Sequence, residues 1–109
     1  SSGENVLAEV LHYIRHNYQE NLKLETLASL FGYNSSYLGR LFTKKLNVNF
    51  NSYLDQVRIA KAKELLDDGN LKVYEIADRV GYSNVDYFHR KFKKYEGTSP
   101  AEYRKKQNL

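Results

Sequence analysis

The chain repeats itself. Leu22, Lys23, Leu24, Leu27, Ala28, Phe31, Gly32 and Tyr33 recur as Leu71, Lys72, Val73, Ile76, Ala77, Val80, Gly81 and Tyr82, 49 residues further on. Beyond the glycine, Tyr37, Leu38, Arg40, Phe42, Lys44 and Tyr53 recur as Tyr87, Phe88, Arg90, Phe92, Lys94 and Tyr103 at an offset of 50. The second copy thus carries one extra residue just after its glycine, where a turn can absorb an insertion. A repeat of this kind limits the fold more than any single motif, because both copies must build the same supersecondary unit.

Hydrophobic periodicity says what that unit is made of. Val6, Leu7, Val10, Leu11, Ile14 and Tyr18 predict a first helix over about residues 4–19. Leu24, Leu27, Ala28 and Phe31 predict a short helix before Gly32, and Tyr37, Leu38, Leu41 and Phe42 a second one after it, over about 35–46. From Phe50 to Leu66 the helical period runs unbroken until Asp67-Asp68-Gly69-Asn70 ends it. Val73, Ile76, Ala77 and Val80 then lead to Gly81, a helix over about 84–95 follows, and a last one starts near Ser99-Pro100, where proline suits the first turn. No stretch alternates with period two for long enough to make a strand. The expected fold is all-α, with about seven helices: a first helix-turn-helix subdomain at 4–49, a central linker helix at 50–68 and a second subdomain at 69–107. Ser1-Ser2-Gly3 reads as an expression scar and is set aside.

Two short helices that cross steeply need a small residue at the contact and a backbone that reverses sharply. Ala28 and Ala77 supply the first, Gly32 and Gly81 the second, and Leu38 and Phe88 anchor the helix that follows. In a helix-turn-helix the second helix enters the major groove, so its outer face matters. With Leu38, Leu41 and Phe42 inside, Ser35, Ser36, Gly39 and Arg40 face outward, followed by Lys44 and Lys45. With Phe88 and Phe92 inside, Val85, Asp86, His89 and Arg90 face outward, followed by Lys93 and Lys94. Arginine can pair bidentately with guanine, serine can serve either base, valine can touch a thymine methyl and aspartate can accept from cytosine N4. The lysines are expected on phosphates; the plainer alternative is a solvated face complementing the helix C-terminal dipole.

Composition narrows the function classes. The net charge of +4 favours a polyanionic partner. With no cysteine there is no disulfide, thiolate nucleophile or cysteine-bound zinc, and no apolar run nears the ~20 residues that span a bilayer. His12 and His16 lie four apart on one helix but lack an evident third ligand, so they read as a surface pair. No phosphate loop or nucleophile motif is visible, so the chain is expected not to be an enzyme and to hold no cofactor or metal. Asn34-Ser35-Ser36 matches a glycosylation acceptor by chance. The ten tyrosines could stack on single-stranded bases, yet most, such as Tyr53 and Tyr103, fall on core-facing positions. The rival reading is a helical protein-interaction module with nonspecific nucleic-acid affinity.

The second copy, from Ile76-Ala77 through Val80-Gly81-Tyr82, Tyr87-Phe88, Arg90, Phe92-Lys93-Lys94, Gly97, Ser99-Pro100 and Tyr103-Arg104, resembles the signature of the AraC/XylS family of bacterial transcription regulators. The likeness covers nearly the whole chain and is looser in the first copy, which has Asn47 where a glycine is usual and Phe50 in place of Pro100. The resemblance implies double-stranded DNA as partner, with base-reading positions at Ser35, Ser36, Gly39 and Arg40 and at Asn84, Val85, Asp86, His89 and Arg90. Gly39 departs from the larger polar residue common there, and a glycine inside a helix costs about 1 kcal/mol. Asp86 would repel phosphate unless it meets a cytosine or orients Arg90. Lys23 and Lys72 stand where serine or threonine would cap a helix. The resemblance further implies a cytoplasmic, bacterial location, RNA polymerase as partner of the full-length regulator, a monomeric isolated domain and a sensing or dimerising region N-terminal to it. A central helix of about 18 residues spans roughly 27 Å and would hold the two units at fixed separation; to enter successive major-groove segments their recognition helices must lie about 34 Å apart, or the DNA must bend.

Overall fold

The computed structural model describes residues 2–108, with side chains over 5–108. All its regular structure is helical: α1 (Ser2–Asn17), α2 (Leu24–Leu30), α3 (Ser35–Leu46), α4 (Phe50–Asp68), α5 (Val73–Arg79), α6 (Val85–Glu96) and α7 (Pro100–Gln107). The chain forms two compact units, Ser1–Leu54 and Asp55–Leu109, and the division falls inside α4.

In the first unit α3 packs on α1 and α2. Leu7, Val10 and Ile14 of α1, Leu27 and Ala28 of α2, and Leu38, Leu41 and Phe42 of α3 are buried, together with Phe50 and Leu54 at the start of α4. The first helix ends at Asn17 and not at 19, with the Asn17 amide donating to the Tyr13 carbonyl at 2.9 Å. It begins at Ser2, two residues before the predicted start.

Both turns have the same hydrogen-bond chemistry. After α2, Gly32 has φ +75°, its N–H reaches the Ser29 carbonyl at 3.2 Å, and Tyr33 N–H reaches Ala28 at 2.7 Å. After α5, Gly81 has φ +109°, its N–H reaches Asp78 at 3.1 Å, and Tyr82 N–H reaches Ala77 at 2.9 Å. These paired bonds are Schellman closures, which need a left-handed residue at the glycine.

The departures of the first copy also have physical reasons. Asn47 takes the left-handed conformation at the end of α3, φ +61°, that Gly97 takes after α6, φ +82°. Asparagine is the residue besides glycine that tolerates it best. Phe50, in the place of Pro100, packs its ring edge-on against Phe42, and α4 is capped by Asn49, whose side-chain oxygen accepts from Ser52 N–H at 2.8 Å. In the second copy Ser99 caps α7 through Glu102 N–H at 3.1 Å. Lys72 gives no side-chain cap; the Glu75 carboxylate accepts the Lys72 N–H instead, at 3.0 Å.

The second unit buries Ile59, Ala62 and Leu66 of α4 with Ile76, Ala77, Val80, Tyr82, Phe88, Phe92 and Pro100, and α6 packs on α5 and α7. A polar group lies within it. Tyr82 hydroxyl donates to Asp55 Oδ1 at 2.7 Å, Lys91 pairs with Asp55 Oδ2 at 3.2 Å, and the Arg58 guanidinium lies 5.2 Å above the Tyr82 ring. Burial, and then the bond to Asp55, push the Tyr82 phenol well above its usual range. Arg104 Nε donates to the Leu66 carbonyl at 3.1 Å, placing a cation where the last carbonyls of α4 need donors.

Candidate nucleic-acid interface

Each second helix is started by an asparagine. Asn34 Oδ1 accepts from Ser36 N–H at 2.8 Å and Tyr37 N–H at 3.3 Å; Asn84 Oδ1 accepts from Tyr87 N–H at 2.9 Å. These caps satisfy donors that the first turn of a helix leaves open and fix where the outward face begins. Asn34 was legible only as a chance sequence match, although an asparagine before a periodic run is a start signal. Asn84, expected among the base-reading positions, precedes α6, and its side-chain oxygen is engaged in the cap, so its amide N–H₂ is the group left for a partner.

On α3, Ser36 and Arg40 are exposed, while Ser35 and Gly39 are half-buried. These four line one open depression together with Leu24, Thr43 and Lys44. α2 runs close to Gly39: a Cβ on it would lie 3.3 Å from Leu24 Cδ2, so a side chain there would need Leu24 to give by a few tenths of an ångström. Lys44 and Lys45 are exposed in the last turn of α3, and Lys45 does not line the depression.

On α6, Val85, Asp86, His89 and Arg90 are all exposed, with Lys93 and Lys94 in the last turn. The Arg90 guanidinium lies 5.6 Å from the centre of the Tyr87 ring, one helical turn back, and not against Asp86. Sequence reading passed over Tyr87 in this role, though an aromatic three residues before an arginine on one helix is the spacing that brings them together. A charge held over a ring loses less freedom when it meets a base edge. The polar faces of α3 and α6 therefore carry the same plan: cap, small polar or apolar residues, one arginine, then paired lysines.

The His12 and His16 rings lie tilted at 34° with centres 4.0 Å apart, and His16 Nδ1 donates to the His12 carbonyl at 2.8 Å. Among the described residues no three or more His, Cys, Asp or Glu side chains gather as a metal site, and no helix is long and apolar enough to cross a membrane.

Comparison with known proteins agrees with this geometry. The family model described as a helix-turn-helix domain matches residues 27–106. The uncharacterized HTH-type transcriptional regulator YdiP of Escherichia coli (strain K12) is 37% identical over 100 residues, 92% of this chain and 33% of that protein. The C-terminal domain of AraT, a response regulator from Geobacillus stearothermophilus, superposes with a TM-score of 0.90 at 35% identity, over 93% of this chain and 84% of that one. The DNA-binding domain of AdpA, a global transcriptional factor solved in complex with a target DNA, superposes with a TM-score of 0.85 at 28% identity, over 90% and 88%. The chain spans less than half the length of the curated relatives it matches. Two asparagine-capped helices with exposed polar faces, the repeat that builds them and these matches agree: the chain belongs to the helix-turn-helix family of AraC-type DNA-binding domains.

Proposed function

We propose that the chain binds double-stranded DNA sequence-specifically, α3 and α6 each lying in a major groove, and that it contributes no catalysis. The observation that carries this reading is the pair of exposed faces on α3 and α6, each led by an asparagine cap and centred on an arginine, Arg40 and Arg90. Ser35, Ser36, Gly39 and Arg40 read bases in one segment; Val85, Asp86, His89 and Arg90, with the Asn84 amide, read them in the next. Lys44, Lys45, Lys93 and Lys94 meet phosphates, where cations at a helix C-terminus also suit the dipole. The AdpA domain, similar in fold, was solved in complex with a target DNA, which supports DNA as the partner. In the full-length regulator the bound domain would act through RNA polymerase, and alone it would bind as a monomer.

The experiment is selection of sites from a random duplex library, followed by binding of the winner and of scrambled DNA across a salt series. Enrichment of an asymmetric motif with two informative blocks about one helical turn apart is the expected result. Equal affinity for all duplexes would reduce the function to nonspecific binding, and no duplex binding would favour a protein-interaction module.

A further inference from the structure

The depression on the outward side of α3, about 660 Å³, is unusual in its floor. A Cβ on Gly39 would come within 3.3 Å of Leu24 Cδ2, so the glycine is what leaves the Leu24 methyl uncovered from the α3 side. Thr43, on the same wall, turns its hydroxyl back to donate to the Gly39 carbonyl at 3.2 Å, which leaves its methyl as the group it can offer outward. An apolar notch therefore sits between Ser36 and Arg40, on a face that otherwise carries hydrogen-bonding groups. In the second copy His89, exposed on α6, occupies the place of Gly39. Glycine inside a helix is destabilising, and here the chain keeps it at a reading position.

The major groove exposes one apolar group, the C5-methyl of thymine, which 5-methylcytosine shares. Building on the reading of α3 as a base-reading helix, we propose that the Gly39–Leu24 notch seats the C5-methyl of a pyrimidine, a thymine in unmodified DNA. Gly39 and Leu24 are then the specificity-determining residues of the first unit, one by its missing side chain and the other by its exposed methyl. Direct readout there proceeds through shape and apolar contact beside Arg40, whereas α6 reads with side chains that protrude.

The test starts from the site this chain selects from a random duplex library. Each thymine in it is replaced in turn by deoxyuridine, which removes the methyl and leaves every hydrogen-bonding group. One thymine, in the block whose preference Arg40→Ala relaxes, should bind about fourfold more weakly as deoxyuridine, the effect of one buried methyl group. At that position 5-methylcytosine should bind more tightly than cytosine, which separates recognition of the methyl from recognition of the thymine O4. Gly39→Ala, which fills the floor, and Leu24→Ala, which removes it, should each abolish the deoxyuridine penalty while leaving base preference in the other block unchanged. That preserved preference shows that either variant is folded. A deoxyuridine series without effect in the Arg40 block, or a penalty that survives both variants, overturns the notch while DNA binding stands. Failure to enrich any duplex sequence overturns the reading of α3 itself, and the notch with it.

Discussion

Arg90 and Arg40 occupy the same place in the two copies, but they are held differently. Arg90 lies over the Tyr87 ring at 5.6 Å, so part of its freedom is already lost before DNA arrives. Arg40→Ala and Arg90→Ala should each cost about 1–3 kcal/mol of affinity and relax one base position, each in a different block of the site. Tyr87→Ala should weaken binding in the Arg90 block alone; a uniform loss for all sequences, read by competition with mutated duplexes, would make Arg90 a phosphate contact. Tyr82 sets a second prediction, on stability. Its phenol is raised, first by burial and then by the bond to Asp55, so the folded state holds a proton that the unfolded chain releases above its usual pKa near 10. The folded state therefore binds more protons in that alkaline window, and stability is full below pH ~10 and falls as pH rises above it. Tyr82→Phe should lose about 1 kcal/mol at neutral pH and show a flatter alkaline decline than the parent chain in urea unfolding.

At the scale of elements, much of the fold was legible because several helices start or end at residues with a local reason to be there. The α3 and α4 starts at Ser35 and Phe50 follow asparagine caps, and the α7 start follows Ser99 with Pro100 in the first turn. Less legible were features that depend on a neighbour. Gly39 reads as a defect in a helix until α2 is seen to bring Leu24 against it, and Lys72 reads as a poor cap until Glu75 is seen to take its N–H. The end of α1 at Asn17 was missed because Tyr18 continues the apolar spacing without continuing the helix. The closures carry their own test. Gly32 has open space around a would-be Cβ, so Gly32→Ala meets only backbone strain at φ +75°. It should cost about 1–2 kcal/mol. Gly32→Asn should cost less, since Asn47 already takes that conformation at the end of α3. Equal losses for the two variants in thermal unfolding would mean that the side chain, and not the dihedral, decides.

At the scale of the whole molecule, two helix-turn-helix units in one chain, if each reads a block of bases as proposed, constrain the DNA site. The boundary between the two units, at Leu54 and Asp55, falls within α4, which runs from Phe50 to Asp68. A flexible tether would let each unit find its block wherever it lay, whereas units coupled through a helix would need a fixed spacing of blocks, and DNA spacing tells the two apart. Their faces also differ, Gly39 in one standing where His89 stands in the other, so the two blocks should differ in sequence and the site should lack dyad symmetry. Inserting about 5 base pairs between the selected blocks turns them to opposite faces of the duplex, since one turn is about 10–10.5 base pairs. One chain should then hold only one block, and affinity should fall toward that of a duplex with the other block scrambled. Inserting about 10 base pairs restores the face but lengthens the span by about 34 Å, and should not restore binding. If the 5-base-pair insertion binds as well as the parent site, the two units act as independently tethered readers and the helical junction sets no register.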